Sequence, residues 1–82
     1  MLTNRQVSQI KRQIGRKHGF LPETVDITNI QSTKKSVVVD GGRVEIDVDF
    51  SHLSGYWAAE RFIVDVSDMR KMPVMVDEIR RG

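Results

Sequence analysis

Three arginines are the first residues in this chain whose types and spacing could do chemistry. Arg5, Arg12 and Arg16 are separated by seven and four residues, which places side chains on one side of an α-helix. Guanidinium groups gathered in this way bind carboxylates or phosphates through paired N–H donors. Lys11 and Lys17 flank the stripe, His18 extends it, and Lys34 and Lys35 stand further along the chain. Together Arg5, Arg12, Arg16, Lys11, Lys17, Lys34 and Lys35 are the expected anion- or partner-binding set. The competing reading is a solvated face, since charge alone carries no sequence information. No aromatic residue interrupts residues 4–18, whereas single-strand nucleic-acid recognition relies on base stacking. No zinc-finger, basic-zipper or recognition-helix pattern is present either.

The other candidates are less specific. Glu45, Asp47 and Asp49 alternate, so on a strand they share a face about 7 Å apart. Carboxylates at that spacing can hold a hard cation or supply an acid and a base. The plainer reading is the exposed face of a half-buried strand, with Lys34 and Arg61 as cross-strand partners. His18 ends a helix, where a cation is stabilised by the helix dipole or the ring packs at the edge of the core. His52 lies close to Ser51 and Ser54, but no nucleophile elbow or orienting third group accompanies them. A His18–Asp49–His52 metal site lacks any recognised ligand spacing. Tyr56 and Trp57 follow Gly55 and are a possible apolar anchor for a partner, or a plug at the end of the core. Met69, Met72 and Met75 suit an adaptable surface or a core filler. No phosphate loop, dinucleotide fingerprint or calcium loop appears. The expectation is therefore no catalytic residue, no metal site, no cofactor, and a protein that is not an enzyme.

The elements that must carry these residues are legible to different degrees. Thr3 and Gln6 have capping-box spacing, and Leu2 and Val7 are placed as a hydrophobic staple. Val7, Ile10 and Ile14 then mark one helical face. Gly19 follows Lys17 and His18 as a stop, and Pro22 blocks continuation. These signals predict a helix over 4–18, weakened at Gly15 by up to ~1 kcal/mol relative to Ala. The Arg stripe lies almost opposite the apolar face. Residues 20–34 read as a connection, with Val25, Ile27 and Ile30 giving weak support for a strand. Ser36–Asp40 and Arg43–Phe50 read as a hairpin turning at Gly41-Gly42. That register pairs Val39 with Val44, Val37 with Ile46, Asp40 with Arg43 and Lys34 with Asp49. A third strand is predicted over 59–66, antiparallel to 43–50, with Trp57–Glu60 ambiguous because Ala and Glu favour helix. In the tail, a turn over 67–72 and a short helix over 73–80 are expected, because Met69, Met72, Val76 and Ile79 fit helical spacing and Pro73 suits a first turn. The alternative is an edge strand around Val74 and Val76.

The chain has 82 residues, 39% hydrophobic, and a formal net charge of +2. That length allows one domain. The charge is segregated: residues 1–22 hold five bases and no acid, while residues 36–69 hold seven acids and two bases. A dipolar molecule of this kind steers partners of either sign, or a second copy of itself. With no cysteine, disulfides and thiolate metal sites are excluded. No apolar run reaches the ~20 residues of a membrane span. The polar start does not resemble a secretion signal, so the cytoplasm is the expected location.

The expected fold is α+β: an N-terminal helix on a three- to four-stranded antiparallel sheet, closed by a short C-terminal helix or an edge strand. Val7, Ile10, Ile14, Val37, Val39, Val44, Ile46, Val48, Phe50, Phe62 and Val64 should form its core. The order α-β-β-β-α is similar to that of several unrelated binding modules, double-stranded-RNA-binding domains among them, in element order only. The expected function is a small interaction protein that binds an acidic protein surface or self-associates. Nucleic-acid binding through the same Arg face is the alternative.

Overall fold

The helix begins where its capping residues place it. Helix α1 spans Asn4–His18, with Thr3 as N-cap; the Thr3 hydroxyl accepts from the Gln6 amide and the Gln6 side chain accepts from the Thr3 amide. Leu2 packs against the core in front of the cap. At the other end Gly19 adopts φ 76° and the Phe20 amide donates to the Gly15 carbonyl at 2.8 Å. That six-to-one bond is the Schellman closure. A computed structural model describes residues 2–33 and 42–79. It shows α1, a single 3-10 turn at Pro22–Thr24, and four strands: β1 (Val25–Ser32), β2 (Arg43–His52), β3 (Trp57–Asp65) and β4 (Val74–Ile79).

The strands form one antiparallel meander in the order β1-β2-β3-β4, and α1 covers one face of it. Register follows hydrophobic alternation. Val44, Ile46 and Phe50 of β2 stand opposite Val64, Phe62 and Ala58 of β3 on the helix side. Ile10 and Ile14 meet them, together with Val25 and Val48, and all of these are buried except the half-buried Val44. Each such Ile or Phe contributes roughly 1.5–3 kcal/mol by leaving water. Phe20, Ile27, Tyr56 and Met75 close the margins of this core.

Three features depart from the sequence expectations. The C-terminal segment takes the alternative expected for it, an edge strand around Val74 and Val76 (β4), and not the short helix over 73–80. Pro73 is buried at its start, and Val74 and Met75 register with Ile63 and Phe62 of β3. The element order is therefore α-β-β-β-β, and the likeness to α-β-β-β-α modules does not hold. The weak strand signal over 25–32 is a full strand, which takes one edge of β2 from Ile46 to His52 while β3 takes the other. The predicted strand 36–40, with Val37, Val39 and Asp40, and Lys34 lie outside the described residues, but Ile46 and Asp49, expected opposite Val37 and Lys34, pair instead with Ser32 and Asn29 of β1 and with Phe62 and Ala59 of β3. Gly42 does have the positive φ expected of it, 103°. The third feature is the ambiguous Trp57–Glu60 stretch, which is strand from its first residue.

Both edge strands are irregular. β1 carries a bulge between Ile27 and Asn29, and β4 carries one where it passes Arg61 and Phe62. Such bulges make an edge a poor template for an added strand.

Candidate binding surface on the helix

Arg5, Arg12 and Arg16 are all exposed, and among the described residues none of them has an ion-pair partner. Helical geometry gathers them within about 40° of arc. The buried face lies opposite, and its edge is polar. Gln6, Gln13 and Lys17 line that edge and each is tied to the sheet. Gln6 Nε2 donates to the Asp65 carbonyl at 3.1 Å, Gln13 Nε2 to the Pro73 carbonyl at 2.6 Å, and Lys17 Nζ to Glu60 at 2.9 Å. These three contacts fix the roll of α1 about its axis, and the Arg face is thereby held toward solvent.

The arrangement is mixed for the helix itself: Arg16 in the last turn complements the dipole, whereas Arg5 and the Arg12–Arg16 spacing oppose the helix. Arg5 stands in the first turn, which has no acid; a cation there opposes the helix dipole by about 0.3–1 kcal/mol. Arg12 and Arg16 are four residues apart, where like charges repel by about 0.2–0.5 kcal/mol. Beside the stripe, Ser8, Lys11, Arg12, Pro22 and Glu23 surround a shallow depression of about 310 Å³ between α1 and the 3-10 turn.

Lys17 does not extend the patch. Its ammonium lies against Glu60, whose side chain is wholly buried, and His18 Nε2 reaches the same carboxylate at 3.0 Å. His18 packs on Phe20, Phe50 and Tyr56, and Phe20 stacks on His52 with ring centroids 3.6 Å apart. The rings seal this end of the core over the ion pair. The sequence concealed the pair because Glu60 sits beside Ala58 and Ala59. Its one legible signal is phase, since Glu60, Phe62 and Val64 alternate onto the same face. Lys34 and Lys35 lie outside the described residues.

The remaining candidates are placed as follows. His52 Nδ1 lies 2.8 Å from the Ser54 hydroxyl, but it also accepts the Ser54 amide at 3.1 Å. This ties the loop to itself and presents no organised nucleophile. In the acidic ladder, Arg61 binds Asp47 through two bonds, at 2.8 and 3.2 Å, and lies 3.8 Å from Glu45. Among the described residues no three His, Asp or Glu side chains could hold a metal ion together, so His18, Asp49 and His52 do not converge. Tyr56 and Trp57 diverge: Tyr56 packs against Phe50 and His18, whereas Trp57 is half-exposed beside Ser51 on the sheet face that α1 does not cover. Met75 joins the core, while Met69 and Met72 are exposed.

The β3–β4 connection is organised by Asp65. Its Oδ1 accepts from the Ser67 amide, the Ser67 hydroxyl and the Asp68 amide at 2.8–2.9 Å. These donors, the Ser67 hydroxyl foremost, hold the Asp65 carboxyl below its ordinary 3.8. Asp68 is lowered too, chiefly by the Arg70 side chain. No helix among the described residues is long and apolar enough to cross a membrane. Compared with family models, curated proteins and solved structures, the chain has no significant match in any of the three.

Proposed function

We propose that this protein is a non-enzymatic binding module whose helix α1 docks on an acidic protein surface through Arg5, Arg12 and Arg16, with Lys11 at their flank. The observation that carries this reading is the stripe itself. Three guanidinium groups share one exposed helix face with no ion-pair partner among the described residues. The helix gains from Arg16 in its last turn but not from Arg5 in its first, and a carboxylate-bearing partner would account for Arg5 and Arg12 as well. The depression beside Arg12 offers room for an acidic side chain. Nucleic acid is less well matched, because the exposed Trp57 lies on the opposite side of the molecule, where it cannot stack on bases held by the helix.

The test is fluorescence anisotropy of dye-labelled polyglutamate, with duplex DNA measured in parallel. Wild-type protein is compared with Arg5→Ala/Arg12→Ala/Arg16→Ala and with a charge-matched control, Arg43→Ala/Arg70→Ala/Lys71→Ala. The helix variant should weaken polyglutamate binding at least about tenfold while the control changes it little. Equal losses in both variants would mean that only net charge matters and would overturn the proposal. Preferential binding to DNA with a steep salt dependence would transfer the site to nucleic acid.

A further inference from the structure

The sheet has a second face, and α1 does not cover it. Trp57 stands at one end of that face, 48% exposed. At the other end Arg43, Ile63, Asp65, Lys71, Met72, Val74 and Val76 line a cleft of about 240 Å³. Between them Asp47 and Arg61 stand opposite each other, already neutralised by two hydrogen bonds. Along β3, Trp57 lies four residues to one side of Arg61. Asp65, registered with Arg43 at the cleft, lies four residues to the other. Each step of four is about 13 Å.

We infer that this face pairs with the same face of a second copy. A two-fold axis crossing the strands at Asp47–Arg61 lays each Trp57 over the partner's cleft, where its ring meets apolar side chains rimmed by Arg43, Lys71 and the already hydrogen-bonded Asp65. The same operation brings the exposed Arg43 to the level of the partner's Ser51 and its neighbour Asp26, which is also exposed. On the axis Asp47 and Arg61 each face their own copy, as ion pairs already closed within each chain. Near the axis Glu45 faces the partner's Asp49, but Glu45 is held within its own chain by the Thr33 hydroxyl and Arg61. An added strand is a poorer occupant, because both sheet edges are bulged. Four strands of roughly eight residues present about 500 Å² per copy, or ~1,000 Å² for the pair, by standard strand spacings. That lies at the low end of specific interfaces, so the dimer is weak and concentration-dependent. It leaves both Arg faces outermost, so it stands independently of the helix-docking reading.

Sedimentation equilibrium of the full chain over about 10 µM to 1 mM tests this inference. Mass should rise toward twice the monomer value. Trp57→Ala and Val74→Asp, both at exposed positions, should each raise the dissociation constant at least about tenfold with unchanged circular dichroism. Arg5→Ala/Arg12→Ala/Arg16→Ala should dimerise as wild type does, and Trp57→Ala should still bind polyglutamate. A monomer mass throughout, or undiminished association of both sheet variants, would overturn the inference. Loss of association only in the arginine variant would assign self-association to the helix instead.

Discussion

Glu60 is the residue on which the interior depends most steeply. A carboxylate with no solvent exposure is held by Lys17 and His18, so losing a partner leaves charge in a medium that solvates it poorly. Lys17→Met should destabilise the protein by about 2–3 kcal/mol, toward the low end for a broken buried pair because Lys17 is itself about a third exposed. Adding Glu60→Met should recover most of that loss, because an apolar replacement of the whole pair removes the stranded charge. Urea unfolding of the two variants checks both statements. Asp65 sets a pH dependence. Its folded carboxyl titrates below the ordinary 3.8, so it stabilises the fold above that value and ceases to do so as pH falls through its folded value. Asp65→Asn should therefore be less stable than wild type at about pH 7, with the two stability curves converging in acid below its ordinary value. Parallel curves across the whole range would show that the carboxylate charge is not what holds the turn.

At the scale of elements, Gly15 reverses a rule of thumb. Helix propensity favours Ala there by up to ~1 kcal/mol, yet Gly15 is buried and a Cβ would collide with the carbonyl of Phe20, the residue whose amide closes the helix. Gly15→Ala should lower the melting temperature, by several degrees if the cost is 1 kcal/mol or more. Arg5→Ala should do the opposite, gaining a few tenths of a kcal/mol from the helix dipole while weakening polyglutamate binding. Thermal unfolding of both variants tests the two directions. The helix was legible because its signals are local: a cap, a staple and a stop lie within a turn of the residues they govern. β4 was not, because Met69, Met72, Val76 and Ile79 satisfy helical spacing, and only pairing with β3 turns the segment into a strand. The same holds for β1, whose apolar side chains become a strand once β2 offers an edge. Of the site, the Arg face could be read from spacing alone. The withdrawal of Lys17 into a buried ion pair could not, since it depends on Glu60, 43 residues away.

At the scale of the whole molecule, the two layers have distinct tasks. One face of α1 and one face of the sheet supply the core, leaving a basic helix surface on one side and a mixed apolar and acidic sheet surface on the other. The dipolar charge pattern of the chain thus becomes two separate surfaces. The most direct measurement of the central claim is an amide chemical-shift titration of labelled protein with polyglutamate. Perturbations should concentrate on residues 5, 9, 12 and 16 and around Lys11 and Glu23, with the Trp57 indole resonance unmoved. A footprint centred on the sheet face, or one spread evenly over every exposed lysine and arginine, would contradict the account.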